Sequence, residues 1–106
     1  MAWLILLAAG LFEIGWAVGL KAANGRPLIL AVTVISMVVS VALLYVAMRD
    51  LPLGTAYAVW TGLGAAGTAL LGLWLFNEPA TPARLVCLGL ILAGVVGLKL
   101  VAPAGQ

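Results

Sequence analysis

Between Leu28 and Met48 the chain carries no charged side chain at all. A stretch of that length cannot cover itself in water. It does match the ~20 apolar residues that one helix needs to cross ~30 Å of hydrocarbon. Three more such runs flank it: Ala2 to Leu20, Leu53 to Phe76 and Leu85 to Ala102. Hydrophobic residues make up 66% of the chain and charged residues 8%, against about 45–50% and about 25% in soluble domains. A water-soluble fold and a disordered chain are excluded. A β-barrel is disfavoured, because these apolar runs are continuous whereas barrel strands alternate. The expected fold class is an all-α membrane protein with four transmembrane helices per chain. They run approximately over 2–20, 28–49, 53–76 and 83–102, in one domain spanning 1–106.

The breaks between runs read as turns. Asn24-Gly25-Arg26-Pro27 combines residues that tolerate left-handed φ with a proline suited to open a helix. Arg49-Asp50-Leu51-Pro52 forms the second break, and Asn77 to Pro82 the third, with Thr81 as N-cap and Pro82 at the first helical position. The first run contains Glu13 and lacks a basic leader, so a cleaved signal peptide is a poor reading. The net charge of +2 is scattered, forms no basic patch and gives nucleic acid nothing to bind. There is no histidine and a single cysteine, Cys87. This rules out an intrachain disulfide and a Ser/His/Asp triad, and makes a His/Cys metal site and an enzymatic role implausible. No cofactor is expected.

Four crossings place both termini and the middle loop on one side of the membrane. That side holds Arg49 and Lys99, and the other holds Lys21, Arg26 and Arg84. Lys/Arg bias normally sets orientation. A split of two against three leaves a fixed topology and insertion in both orientations equally open. Transporters commonly rock two inverted repeats around a midplane site. Four helices are too few to hold two such repeats, so a working pore or transporter needs at least a dimer.

Glu13 is the only ionisable residue deep inside an apolar run. At ~1.5 Å per residue it lies about 16 Å along its helix, near the bilayer midplane. A charge there costs at least a few kcal/mol, so an intramembrane acid is by default a functional site; the competing reading is a protonated acid that only ties two helices together. Trp16, three residues on, shares the face of Glu13. Its indole can wall a cation site and donate to the carboxylate, or merely pack. Gly10 and Ala17 beside that face admit a close neighbour. Trp3 and Trp74, near the run ends, fit an interfacial role.

The second run contributes Thr33, Ser36 and Ser40, hydroxyls that either bond back along their own helix or bridge to another. In the third run Tyr57 and Trp60 share a face, and Tyr57 can hold a carboxylate in one rotamer. Gly62 and Gly64 lower helix stability at mid-membrane and permit the hinge that alternating access needs, although Gly64 and Gly67 also fit simple close packing. The fourth run is apolar throughout its middle. Its small residues Gly89, Ala93, Gly94 and Gly97, with Leu90 beside them, suit a helix–helix contact and read as the dimer interface.

Several stretches together resemble the small multidrug resistance family, closest to its guanidinium-exporter branch. They are Met1 to Ile5, Gly10 to Ala17 including Glu13 and Trp16, Pro52 to Gly64, and Gly89 to Val96. Thr61 after Trp60 matches the guanidinium branch, whereas the polyaromatic-cation exporters tend to carry Ser. The first loop, Ala22 to Pro27, looks shorter than in typical relatives. The resemblance implies an antiparallel, dual-topology homodimer in the bacterial inner membrane. It also implies proton-coupled export, with both copies of Glu13 as the shared proton and substrate site. Trp16, Ser40, Tyr57 and Trp60 match the family's pocket residues, and Lys99 a lysine late in its fourth helix. From this follows the expectation that Ser40 and Trp16 hydrogen-bond the carboxylates while Tyr57 and Trp60 orient them or wall the pocket. Broader quaternary-ammonium export, a passive cation channel and a structural membrane partner are the rival readings.

Overall fold

The computed structural model describes residues 1–101. Four α-helices follow one another: α1 Ala2–Ala23, α2 Pro27–Met48, α3 Leu53–Leu75 and α4 Pro82–Leu100. Each is long and apolar enough to cross a membrane, so the chain is a multi-pass membrane protein. Local chemistry fixes the ends. Asn24 at φ 43° and Gly25 at φ 80° turn the chain after α1, a left-handed step that Asn and Gly tolerate. Pro27 and Pro82 open their helices, and Thr81 Oγ1 accepts the Arg84 N–H at 3.2 Å.

Several boundaries differ from the sequence expectation; α2 and α4 each begin a residue early, at Pro27 and Pro82. α1 continues past Leu20 to Ala23, because a lysine is a good helix former and only the Asn24-Gly25 step stops propagation. α2 ends at Met48 and α3 at Leu75, each a residue early. The expected end of the fourth helix at Ala102 lies outside the described residues.

α1 is the central element. It packs along α2 and α3, α3 carries α4, and α2 meets α3 only briefly. The core sits toward the end formed by the start of α1, the end of α2 and the start of α3. There Leu6, Ala9, Ala47 and Ala56 are fully buried, with Leu44, Leu51 and Val59 around them. Alanines dominate because small side chains let backbones approach, and close van der Waals packing drives helix association in lipid. The molecule measures 44 × 35 × 16 Å. A helix with its side chains is about 10–12 Å across, so the chain is little more than one helix layer thick and most of every helix faces outward.

Candidate functional site

The half of the chain without that core holds a cavity of about 380 Å³. One wall is the face of α1 that carries Glu13, Ala17 and Lys21, spaced four residues apart so that they stack along the helix. The other is α3, through Thr61, Gly64, Thr68 and Gly72. The cavity extends from Glu13 to the end where α1 and α3 finish, about 12 Å at the helical rise. Phe76, Glu78 and Arg84 line that end.

Glu13 is seated by a glycine. A Cβ on Gly64 would overlap the Glu13 carboxyl, and one on Gly67 would overlap Ile14. Two glycines one turn apart on α3 therefore receive two successive residues of α1. Among the residues that line this cavity, Glu13 Oε2, Trp16 Nε1 and Thr68 Oγ1 are shielded polar atoms without a hydrogen-bond partner among the described residues. Polar atoms in such a position are ordinarily satisfied. Two of the three can serve a ligand that offers hydrogen bonds: the Glu13 carboxylate and the Thr68 hydroxyl accept from a cation's N–H, whereas the Trp16 indole N–H can only donate.

At that end Arg84 Nη2 donates to Glu78 Oε1 at 2.8 Å. The Lys21 ammonium lies 5.2 Å from the centre of the Phe76 ring, within cation–π range.

Residues 1–91 match the family of Small Multidrug Resistance proteins. The chain belongs to that family. Curated relatives agree over nearly full length. A guanidinium exporter of Citrobacter freundii is 56% identical over 102 residues, which cover 94% of this chain and 97% of that protein. A guanidinium exporter of Salmonella typhimurium is 57% identical over 104 residues, with 94% and 97% covered. One from Yersinia pseudotuberculosis is 57% identical over 102 residues, with 94% and 98% covered.

In this small multidrug resistance protein the residues expected to form one pocket divide into two groups. Glu13 and Trp16 line the cavity. Ser40 and Trp60 do not; they form a separate bridge between three helices. Ser40 Oγ donates to the Ala9 carbonyl at 2.7 Å and accepts the Trp60 Nε1–H at 3.0 Å. Within this chain the one Ser40 proton goes to the Ala9 carbonyl and not to the carboxylate. Trp16, likewise expected to donate to the acid, keeps its N–H unpartnered. The bridge nonetheless bears on the acid. The Ala9 carbonyl is the helical acceptor for the Glu13 N–H, so Ser40 pins the turn on which Glu13 stands. Tyr57 packs on Trp60, ring centres 5.6 Å apart, and is 54% exposed. It lies one turn before Thr61 on the same face of α3 but does not line the cavity.

The glycines expected to hinge α3 sit in an unbroken helix. Gly62 gives clearance to α4, where a Cβ would come 2.7 Å from Val95 Cγ2, as Gly64 does to Glu13. On α4, Gly89, Leu90, Ala93 and Gly94 are exposed and Gly97 partly so. A Cβ added at Gly89, Gly94 or Gly97 would meet nothing within 4 Å, so these small residues clear no neighbour among the described residues. Lys99 folds back over the Trp3 ring at 4.9 Å.

Sequence reasoning missed Thr61 and Thr68 as cavity walls, and Lys21, Glu78 and Arg84 as its end. Thr61 and Thr68 are two turns apart and so share a face. Lys21 is two turns beyond Glu13, a spacing hidden once the helix was ended at Leu20.

Proposed function

We propose that the protein is a proton-coupled antiporter that exports guanidinium or small guanidinyl cations across the bacterial inner membrane. The observation that carries this reading is the carboxyl of Glu13, which lines the cavity beside Trp16 and Thr68 and has a shielded oxygen that no described residue satisfies. The relatives' names supply the substrate class. A guanidinium ion is planar and presents N–H donors in a fork that fits a carboxylate. Its donors also suit the hydroxyls of Thr61 and Thr68, which a quaternary ammonium, with no N–H, leaves unused.

The coupling follows from charge. An ionised Glu13 binds the cation, and a protonated one offers no charge to hold it. Proton and cation therefore compete for one group. When the site alternates between the two sides, a proton entering displaces a cation leaving.

One chain supplies only half of such a device. Its cavity reaches one end of the helices, the layer is 16 Å thick, and α4 presents small residues with open space beside them. An antiparallel homodimer completes the reading. In it Gly89, Leu90, Ala93, Gly94 and Gly97 meet their symmetry mates, and two Glu13 carboxylates share one site. Trp16, Tyr57 and Trp60 of both copies wall it, Ser40 holds the acid-bearing turn, and α3 bends at Gly62 and Gly64 to switch access.

Currents recorded from purified protein in liposomes on a solid-supported membrane test this. Guanidinium should drive proton-coupled currents that Glu13→Gln abolishes, and tetraphenylphosphonium should drive much smaller ones. A Glu13→Gln protein that still exchanges protons for guanidinium refutes the mechanism. Equal or larger tetraphenylphosphonium currents favour the broader multidrug reading, and conduction without proton coupling a channel.

A further inference from the structure

The cavity that begins at Glu13 ends at a second carboxylate. Glu78 follows α3 and faces Arg84 in the first turn of α4, and both line the cavity. Glu78 is held in place. Asn77 at φ 53° bends the chain before it, its backbone N–H donates to the Gly72 carbonyl at 3.2 Å, and a Cβ on Gly72 would overlap its carboxyl. Its partner is not held so firmly. Arg84 reaches Glu78 through one contact, Nη2 to Oε1, and the two side chains remain 34% and 31% exposed.

The resident at this carboxylate has a telling chemistry. The head of Arg84 is itself a guanidinium. A carboxylate whose surroundings admit the arginine fork admits a free guanidinium by the same N–H···O geometry. Resting on the guanidinium reading above, the geometry points to Glu78 as an outer binding site for the transported cation, occupied by Arg84 until substrate displaces it. A cation taken up there already stands in the cavity that leads to Glu13. Without Glu78 the same mouth keeps only Arg84 and Lys21, both positive, and repels what it should admit.

The two partners of an ordinary structural ion pair act alike when removed. The two partners of an exchange site act oppositely, which makes the proposal testable. In liposomes, Arg84→Gln removes the internal competitor and should lower the KM for guanidinium about 2- to 5-fold, the scale of a partly exposed ion pair. Glu78→Gln removes the site and should raise KM by a similar factor, with Glu78→Asp falling between. Monodispersity in size-exclusion chromatography checks assembly. Should Glu78→Gln fail to assemble, Arg84→Gln decides alone: a lowered KM supports the outer site, and an unchanged or raised one overturns it. If the wild type carries guanidinium and both variants shift KM in one direction, or neither shifts it, the outer site is wrong and the transport reading stands. If the wild type carries tetraphenylphosphonium but no guanidinium, the substrate reading fails and takes the outer site with it.

Discussion

At the scale of single residues, the site is defined as much by what is missing as by what is present. Gly64 matters because it lacks a Cβ where the Glu13 carboxyl lies. Gly64→Ala should force the acid aside. Overpacking of this kind costs about 1–3 kcal/mol, which is about 5- to 100-fold in binding if it falls on the carboxyl. Guanidinium KM measured in liposomes should rise within that range, whereas Gly54→Ala, with nothing within 4 Å, should leave it unchanged. Ser40 acts differently. Ser40→Ala strips the Trp60 N–H of its acceptor and unpins the Ala9–Glu13 turn. Interhelical hydrogen bonds in membranes are worth about 0.6 kcal/mol on average and about 1.7 at most. A thermal melt in detergent, followed by circular dichroism, should therefore show a modestly lower Tm, together with weaker transport. The sequence made Glu13 and Trp16 legible because a lone charge in an apolar run announces itself and a partner three residues on must share its face. It could not say which carbonyl the Ser40 proton would choose. A hydroxyl has acceptors on its own helix and on every neighbour, and only packing decides among them.

At the scale of elements, helix existence was readable from composition and helix partnership was not. The four runs stand out because lipid demands length and apolarity. The small residues of α3 and α4 look alike in sequence, yet the structure separates them. Those of α3 are filled by neighbours from the same chain: Gly62 by Val95, Gly64 by Glu13, Gly67 by Ile14. Those of α4 at Gly89, Gly94 and Gly97 face open space. The contrast yields a paired prediction. Gly62→Leu should disrupt α3–α4 packing within the chain and lower thermal stability. Gly94→Leu should fold with wild-type helicity, since nothing in its own chain opposes it, but lose dimers and transport. Circular dichroism reads the first property and single-molecule photobleaching of labelled protein in liposomes reads the second. A Gly94→Leu protein that remains dimeric and active would remove α4 from the interface. The same sorting explains the unforeseen cavity end. Lys21, Glu78 and Arg84 look like loop charges in sequence. They become lining residues because α1 runs on to Ala23 and the Gly72–Glu78 contact folds the third connection back over the cavity.

At the scale of the whole molecule, the proposed antiparallel dimer accounts for both the near balance of charge and the thinness of the layer. A chain one layer thick, with its cavity open toward one end, needs a partner facing the other way, and a chain with two basic residues on one side and three on the other is free to supply it by inserting in both orientations. In that proposal dimer and topology are one design, and the surface Lys/Arg count is a functional property. Ala22 and Ala80 are exposed on the side of Lys21, Arg26 and Arg84, and Asp50 and Val101 are exposed on the other. Lysines at Ala22 and Ala80 should fix that side in the cytoplasm, and lysines at Asp50 and Val101 should fix the opposite orientation. Cysteine labelling in intact cells reports the orientation of each. Neither variant alone should export guanidinium, because every copy then faces the same way, whereas the two expressed together should restore export by pairing. A variant locked in one orientation that exports as well alone as with its counterpart would show that inverted symmetry is not what completes the site.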